Sequence, residues 1–189
     1  MDIETVLAER IAHERAQRGW SLEDLAERSG VSRSMLSKIE RKESSPTTMV
    51  LVRIGGALGL TLAELLTEPT TADTRLARAA EQPVWTDPKT SYRRRQIYLS
   101  ASTPLELTEV ELPAGVSVAA PAYYYQFVRE VVWVLKGTLT VNEGERRSKL
   151  DPGDRLEFGP PSDVVFTNDS DKPCRYVVAI LRMPNRVLA

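Results

Sequence analysis

A run of basic and serine residues lies between Arg28 and Lys42. Five basic residues fall in this run against the single acid Glu40, a local charge of +4, although the formal charge of the 189-residue chain is −1. Serine hydroxyls are interspersed among the basic residues. Proteins use this mixture of donors to hold nucleic-acid phosphates and to read base edges. The run therefore predicts nucleic-acid binding that the net charge of the chain does not signal.

A second candidate site is an aromatic and polar stretch between Tyr123 and Trp133. Aromatic faces and a carboxylate can together hold a cationic ligand, so we expect an amine or an amino acid here. The candidate pocket residues are Tyr123, Tyr124, Tyr125, Gln126, Glu130 and Trp133. On a strand, Tyr124 and Gln126 would share one face and Tyr123 and Tyr125 the other, so only one pair could face a cavity. Alternatively, these side chains fill the core, or the tyrosines lie at a dimer surface.

Histidine and cysteine are scarce, which limits the chemistry of the chain. His13 and Cys174 are each the only residue of their type. Within this chain, that excludes metal sites with two histidines, cysteine-rich zinc sites and disulfides, and leaves one imidazole for any catalytic triad. We expect Cys174 to be a buried, inert thiol and His13 to lie near the surface.

The first 66 residues or so are predicted to form five short helices. Apolar residues recur there at three- and four-residue steps, and each of the later runs begins at a capping residue. The predicted caps are Ser21, Ser32, Thr47 or Thr48, and Thr61. Gly19 should end the first helix, and Gly30 should end the second. Five helices of this length fit one compact bundle.

The rest of the chain is predicted to be a linker followed by a β domain. Residues 68–91 contain three prolines and few bulky apolar side chains, which is typical of a linker or an extended arm. From about Tyr92, β-branched and aromatic residues alternate with polar ones in short runs between turns, as in a β-sandwich or barrel. We expect domains at 1–67 and 92–189. The basic stretch Arg93, Arg94 and Arg95 could reach back to DNA or to the β domain, or be solvated.

No segment is predicted to enter a membrane. Apolar residues make up 42% of the chain, an ordinary fraction for a globular protein. The first 18 residues mix charged with apolar side chains, so they lack the uninterrupted core of a signal peptide and the length of a membrane helix. We therefore expect a cytoplasmic protein.

The stretch SLEDLAERSGVSRSMLSKIERKESSPTTMVLVRIGGALGLTLAELL carries a helix-turn-helix pattern. Ala26 is the small residue where the two helices would cross, and Gly30 makes the turn between them. The apolar residues that face inward are Val31, Leu36 and Ile39. From about Ile11 to Leu66, the sequence resembles the Cro/C1-type (XRE-family) helix-turn-helix regulators. The resemblance implies a five-helix, lambda-repressor-like domain that binds double-stranded DNA.

The third helix would be the recognition helix. With Leu36 and Ile39 inward, its outward residues include Arg33, Ser34, Ser37 and Lys38. Arg33 or Lys38 can donate to guanine, whereas the two serines discriminate weakly. By resemblance, Arg33, Ser34 and Lys38 occupy the base-reading positions of the family.

The residues around this helix have predicted supporting roles. Phosphate contacts are assigned to Ser32, Arg41, Lys42 and Ser44. The family commonly pairs an arginine of the first helix with a glutamate that ends the recognition helix, which selects Arg15 and Glu40; a solvated pair of little energetic value is the alternative. Leu22 stands where many members carry a phosphate-binding glutamine, so that contact is missing or moved.

The second half carries the framework of another family. The matching residues are Gly115, Glu130 and Gly137 in and before EVVWVLKGTLTV, the turn of DPGDRLEFGPP, and Asn168. From about Leu105 to Arg182, the sequence resembles a cupin, an all-β double-stranded jelly roll. The fold class is thus multidomain α + β.

The resemblance to cupins does not extend to their metal ligands. Metal-binding members place histidines where this chain has Tyr124 and Gln126, or Tyr123 and Tyr125, and Val164. Only Glu130 remains as a ligand, and one carboxylate does not make a transition-metal site. We therefore expect no metal, no cofactor and no enzymatic activity.

Together, these features predict a transcriptional regulator with a sensor domain. One recognition helix reads few base pairs, so we expect a homodimer on an inverted repeat, most simply a repressor. A small metabolite in the cupin domain would shift the population of arrangements that bind DNA. The alternatives are a cupin enzyme fused to a DNA-binding domain and an antitoxin-like module that binds protein.

Overall fold

Local capping interactions set the bounds of the helices in the computed structural model, which describes residues 3–66, 75–100 and 102–183. The helices are α1 (Ile3–Gln17), α2 (Leu22–Ser29), α3 (Arg33–Glu40), α4 (Thr48–Leu58) and α5 (Leu62–Leu66). At α2, the Asp24 N–H donates to the Ser21 hydroxyl (3.1 Å), and the Ser21 N–H donates to the Asp24 carboxylate (2.7 Å). Gly30 ends α2 with φ of 65°, which glycine adopts without strain. These predicted caps are confirmed.

The next three helices also begin as predicted, with one difference in their capping. Ser32 caps α3 and Thr61 caps α5 through their side chains. Thr47 occupies the cap position of α4, but its side chain makes no capping hydrogen bond. The carboxylate of Asp87, 39 residues further on, accepts instead from the Thr48 N–H and hydroxyl, both at 2.6 Å. The segment after the helical domain therefore holds the start of α4.

The helical domain packs around apolar residues from all five helices. Its fully buried members include Ile11, Leu25, Leu36, Leu51 and Leu65. His13 is exposed, as expected. Within the described residues, no helix is both long and apolar enough to cross a bilayer.

The β domain is built from two antiparallel sheets. Its strands are β1 (Val84–Thr86), β2 (Arg93–Leu99), β3 (Leu105–Leu112), β4 (Ser117–Ala120), β5 (Val128–Lys136), β6 (Leu139–Glu143), β7 (Arg146–Leu150), β8 (Arg155–Glu157), β9 (Val164–Thr167) and β10 (Cys174–Arg182). The larger sheet has the order β1-β2-β3-β10-β5-β8, and the smaller has the order β4-β9-β6-β7. Apolar side chains between the sheets, including those of Val132, Val141 and Tyr176, form the core. Cys174 is buried here, as expected.

Three strands were missed by the sequence prediction. β1 lies inside the segment predicted as a linker. A strand forms there because Trp85 is buried and the segment pairs with β2 at the edge of the large sheet. β4 is short and rich in small residues, and β7 is largely polar, so neither shows a strong alternating pattern. Residues 68–74 of the predicted linker, and its boundary after residue 67, lie outside the described residues.

The two domains meet along a surface that we call the domain seam, formed by α4 and α5 on one side and β2, β3, β4 and β10 with the Ala122–Gln126 3₁₀ helix on the other. The Thr61 hydroxyl donates to the buried Glu106 carboxylate (2.6 Å), and Arg182 pairs with Glu64 (2.6 Å). Hydrogen bonds and ion pairs of this kind, largely screened from water, give the contact a defined geometry.

Candidate functional site

The outward face of α3 presents exposed donors. Leu36 and Ile39 are buried against the helical core, whereas Arg33, Ser34 and Lys38 are exposed and Ser37 is half-buried. Arg33 lies 3.6 Å from the Glu23 carboxylate, and both side chains are more than two-thirds exposed. Within the described part of the chain, no carboxylate lies within 4.0 Å of Lys38. These side chains are free to exchange water for base edges or phosphates.

The groups assigned to phosphates flank both ends of α3. The Ser32 hydroxyl accepts from the Met35 N–H (3.3 Å). Arg41 pairs with Glu43 (2.8 Å), and Lys42 pairs with Glu9 (3.4 Å), in exposed positions. Ion pairs this exposed are screened by water and contribute little to stability.

The backbone that leaves α3 has an unusual residue at its turn. Lys42 has φ of 62°, in the left-handed region, and its N–H donates to the Ile39 carbonyl (2.9 Å). The following N–H, of Glu43, reaches back to the Lys38 carbonyl (2.8 Å). This is a Schellman arrangement, in which glycine usually takes the position of Lys42. The strained turn places the Lys42 ammonium at the carboxyl end of α3.

Other members of the basic run are held by the protein. The Arg28 guanidinium lies over the ring of Trp20, 4.4 Å from its centroid. Ser44 is half-buried, and its hydroxyl lies 3.8 Å from the Met35 sulfur. Leu22 packs against the helical core, so it supplies no donor where the family often has glutamine.

Arg15 and Glu40 form a bidentate ion pair that joins α1 to the end of α3. Their two N···O distances are both 2.8 Å, and a further Arg15 N–H donates to the Trp20 carbonyl (2.8 Å). The side chains are only 19% and 13% exposed, so this is not the solvated pair of the alternative prediction. Hydrogen bonding to Glu40 raises the pKa of Arg15 further above its ordinary value, against the opposing effect of burial. The pair positions α3 against its scaffold.

The tyrosine run does not form the predicted strand. Ala122–Gln126 is a 3₁₀ helix that starts after Pro121, and the Tyr124 N–H donates to the Pro121 carbonyl (3.0 Å). Because successive side chains turn by about 120° on such a helix, the predicted alternation of faces is wrong. Tyr124 and Tyr125 are both buried, so they are not at a dimer surface.

Three of the six predicted pocket residues lie elsewhere. Gln126 is exposed on the 3₁₀ helix, and Trp133 is 50% exposed on the outer face of β5. Tyr123 lies across α4, where a Cβ added at Gly56 would come within 2.0 Å of its ring. Gly56 therefore makes room for Tyr123 at the domain seam, away from the cavity.

The remaining three residues line a cavity that we call the seam cavity, at the mouth of the jelly roll. Its lining residues are Thr48, Val52, Leu62, Tyr92, Arg94, Val118, Ala119, Ala120, Tyr124, Tyr125, Glu130, Phe166, Tyr176, Val178 and Ile180. Its volume is about 40 Å³, counted as the space open to the centre of a water-sized sphere. One water needs about 10–15 Å³ on this measure, so the cavity has room for a molecule of several heavy atoms.

Sequence reasoning did not place Tyr92, Arg94 and Tyr176 in this cavity. The signal for the first two was present, since residues 92, 94 and 96 alternate with outward-facing neighbours at the start of β2. Arg94 thus reaches into the β domain, one of the predicted alternatives for the arginine run. Of its neighbours, Arg93 is exposed and Arg95 pairs with Glu109 (2.8 Å).

Glu130 and Arg94 are the charged groups of the cavity. Burial raises the pKa of Glu130 to about 8, while Arg94 acts in the opposite direction and Glu106 adds to the rise. Arg94 donates to the Tyr92 hydroxyl (3.1 Å) and to the Thr108 hydroxyl (3.3 Å). Its pKa is raised above the ordinary value, since neighbouring tyrosines outweigh the large opposing effect of burial.

The cavity does not fit the metal ion that many cupins hold. Among the described residues, no three histidine, cysteine, aspartate or glutamate side chains gather in one place. Glu130 is the one carboxylate in the lining, Val164 stands at a ligand position of the family, and the cationic Arg94 faces the same space. A cation would meet one carboxylate and a guanidinium, so we derive no chemistry through a metal.

Comparison with known proteins identifies the family. A helix-turn-helix family model, HTH_3, matches residues 11–65. Over 168 residues, the chain is 34% identical to the HTH-type transcriptional regulator SutR of Escherichia coli (strain K12), with 86% of each chain covered. The chain belongs to the HTH-type transcriptional regulators, with an XRE-type helix-turn-helix domain followed by a domain of two antiparallel β-sheets.

Shorter and structural matches agree. The control protein C.SmaI of Serratia marcescens is 39% identical over 67 residues, which are 35% of this chain and 80% of that protein. The crystal structure of an HTH_3 family transcriptional regulator from Vibrio cholerae has a TM-score of 0.77 at 24% identity, over 97% of this chain and 98% of that one. The crystal structure of FeII HppE has a TM-score of 0.50 at 16% identity, over 95% and 100%. Both structures show a likeness of fold.

Proposed function

We propose that the protein is a homodimeric, sequence-specific regulator that binds an inverted repeat in double-stranded DNA and acts as a repressor. The observation that carries this proposal is the outward face of α3, where exposed donors lie on a helix clamped by the Arg15–Glu40 pair. A positioned helix can enter the major groove, whereas a loose one would lose binding energy to ordering. The site of action is the cytoplasm, where bacterial DNA lies.

Different residues of this surface have different roles. Arg33 and Lys38 read bases, since each can donate to guanine, and Ser34 and Ser37 make less selective contacts. Ser32, Arg41, Lys42 and Ser44 hold phosphates at the two ends of α3. A symmetric dimer doubles the number of base pairs read and requires two half-sites related by a two-fold axis.

The cupin domain is proposed to be a metal-free sensor and not an enzyme. The support for a sensing role is that both domains line the seam cavity. The DNA-binding domain contributes Thr48, Val52 and Leu62. A small metabolite that fits one arrangement of the domains better than another would shift the affinity for DNA. We take residues 1–67 as the DNA-binding domain, 68–91 as a connection that includes β1, and 92–189 as the sensor domain.

The base-reading role is tested by comparing binding to selected and unrelated DNA. A pool of random duplexes is enriched for binders, and affinities for the best duplex and for a scrambled duplex are measured at several salt concentrations. Arg33→Ala and Lys38→Ala should each weaken binding to the selected duplex by about 5- to 100-fold, with much smaller losses on the scrambled duplex. Arg147→Ala, an exposed arginine on β7, is the matched control and should change neither.

Two results would contradict the proposal. Equal losses on both duplexes would remove the base-reading role of Arg33 and Lys38. A monomeric mass in sedimentation, combined with selected sites that lack two-fold symmetry, would remove the dimer on an inverted repeat.

A further inference from the structure

The seam cavity contains polar groups that the protein itself leaves without partners. Glu130 is 5% exposed, and its carboxylate accepts no hydrogen bond from the described residues. Tyr124 and Tyr176 are 6% and 2% exposed, and their hydroxyls likewise find no partner there. The Tyr125 hydroxyl is fully enclosed without one. Polar groups that face a small protein-lined space take their hydrogen-bond partners from whatever occupies it, so this concentration makes the cavity a candidate ligand site.

Arg94 and Glu130, the two ionisable groups of opposite type in the cavity, form no ion pair with each other. Within the described residues, no carboxylate oxygen lies within 4.0 Å of the Arg94 guanidinium, which also leaves Glu130 without an ion-pair partner. Arg94 uses hydroxyl groups of Tyr92 and Thr108 as its acceptors, which leaves part of its five-donor fork for another acceptor. Burial favours the protonated form of Glu130 in the cavity, and an ammonium group beside it would favour the ionised form. A purely anionic ligand would therefore pair with Arg94 alone, and a purely cationic ligand would meet the Arg94 guanidinium. A molecule with both charges satisfies both groups.

The walls restrict what can accompany those charges. Tyr124, Phe166 and Tyr176 supply aromatic surface, and the rings of Phe166 and Tyr176 are stacked 6.0 Å apart. Such faces favour an ammonium group and exclude a long polar side chain. The cavity is small, so it admits only a few heavy atoms beyond the charged groups.

We propose that the seam cavity binds a small α-amino acid, with its carboxylate on Arg94 and its ammonium group on Glu130. Tyrosine hydroxyls that line the same cavity are the candidate acceptors for the remaining ammonium hydrogens. The site is preorganised for two charges, which explains why a half-buried arginine and a buried glutamate share one cavity without forming an ion pair.

The position of the cavity would couple this ligand to the DNA-binding domain. Thr48 and Val52 of α4 and Leu62 of α5 form part of its wall, so the amino acid contacts both domains at once. Asp87 anchors the same end of α4 through Thr48. A ligand that contacts both domains stabilises the arrangement in which the seam is closed. This consequence rests on the proposed regulatory function, whereas binding of the amino acid does not.

Binding is tested on the full chain without DNA. Thermal unfolding and calorimetric titration are carried out with each of the twenty proteinogenic amino acids, and with propionate and ethylamine as the matched partial ligands of L-alanine. We expect one or a few of the smallest amino acids to raise Tm and to bind, while propionate and ethylamine bind at least 10-fold more weakly. Binding of none of the twenty, or equal binding of a partial ligand, would overturn the proposal.

Variants assign the two charges. Arg94→Gln and Glu130→Gln should each weaken amino acid binding by at least 10-fold. Arg93→Gln on β2 and Glu157→Gln on β8 are exposed neighbours and should leave it unchanged. Circular dichroism tests whether each variant is folded. If a variant does not fold, the comparison of L-alanine with propionate and ethylamine on the unmodified protein still tests whether both charges are needed. Unchanged binding in both folded cavity variants would refute the assignment.

A separate measurement distinguishes this inference from the proposed function. Affinity for the selected DNA duplex is measured with and without the amino acid that binds. A change in affinity that disappears in Glu130→Gln supports both. Binding of the amino acid without any change in DNA affinity keeps the ligand assignment and removes the sensing role. Sequence-specific DNA binding without any amino acid binding removes only the ligand assignment.

Discussion

The outward face of α3 and the seam cavity use polar groups in opposite ways. On α3, the donors Arg33 and Lys38 are exposed and solvated, and eight consecutive residues form the whole helix. In the cavity, Arg94 and Glu130 are withdrawn from bulk water, and the walls come from helices and strands in both domains. Polar groups on the first surface lose little by waiting for a ligand, since water satisfies them. Those in the cavity meet only what its small space admits, so their geometry carries information about the ligand.

The difference extends to how each region is supported. The α3 face depends on one strong local clamp, the Arg15–Glu40 pair, and on caps within the same segment. The cavity depends on the domain seam, where Glu106, Glu64 and Arg182 are brought together from α5, β3 and β10. Damage to the clamp should therefore act on stability and DNA binding, whereas damage to the seam should act on the relation between the domains.

The largest expected effect comes from breaking the clamp. Arg15→Ala leaves the Glu40 carboxylate, 13% exposed, without its partner, and should lower the free energy of unfolding by about 3 kcal/mol. Urea denaturation measures this loss. Arg147→Ala removes an exposed pair with Asp169 and should cost less than about 0.5 kcal/mol. Similar costs for the two variants would mean that the clamp is no stronger than a surface pair.

The seam should respond to pH in the neutral range. Burial raises the pKa of Glu106 from its ordinary value of 4.5 to about 7, with Glu64 adding to the rise and Arg182 and Arg94 opposing it. The folded protein therefore holds a proton that the unfolded chain releases, and this contribution to stability is lost as pH rises from 4.5 through 7. We expect Glu106 to contribute a loss of about 1 kcal/mol per pH unit between pH 5 and 7.

The source of that pH dependence is checked with Glu106→Gln. Urea denaturation at pH 5, 6, 7 and 8 should give a shallower slope for the variant than for the unmodified protein. The slope that remains has the same sign, because burial also raises the pKa of Glu130, to about 8. Identical slopes in the two proteins would show that Glu106 does not titrate in this range.

A steric change at the seam should have a somewhat smaller effect. In Gly56→Ala, the new Cβ would lie 2.0 Å from the Tyr123 ring, so the ring must move, at a cost of about 1–3 kcal/mol. Adding Tyr123→Ala removes the clash, so the double variant should be more stable than the sum of the single losses by at least about 0.5 kcal/mol. If the losses in free energy of unfolding of the two single variants simply add in the double variant, the cost of Gly56→Ala does not come from a clash with Tyr123.

The smallest expected effect separates folding from DNA binding at one residue. Lys42→Gly relieves the positive φ of 62° and should raise the free energy of unfolding by about 1 kcal/mol. It should also weaken binding to specific and unrelated DNA alike and reduce the salt dependence by about one phosphate contact. Ser91→Gly, at φ of 60° in the connection between the domains, is the matched control: it should gain stability and keep DNA affinity. An unchanged DNA affinity in Lys42→Gly would remove the phosphate role.

Sequence patterns predicted the helical domain better than the surroundings of the cavity, because they detect interactions between residues close together in the chain. The caps Ser21, Ser32 and Thr61 were predictable, because a cap acts on backbone groups three residues away. The cap of α4 was not, since Asp87 reaches it from 39 residues further on. The tyrosine run was misassigned because β-propensity favours a strand, and the turn after Pro121 forms a 3₁₀ helix instead.

By itself, the sequence determined the helix-turn-helix and the residues that α3 turns outward, because a helical face repeats every 3.6 residues and needs no distant partner. It also determined, through its single histidine, that the cupin frame lacks the usual metal ligands. Only the tertiary structure decided that Arg94 enters the cavity, that Trp133 and Gln126 do not, and that α4 and α5 close its mouth. The environment of those side chains is created by segments far apart in the chain, and it exists only once the two domains have packed.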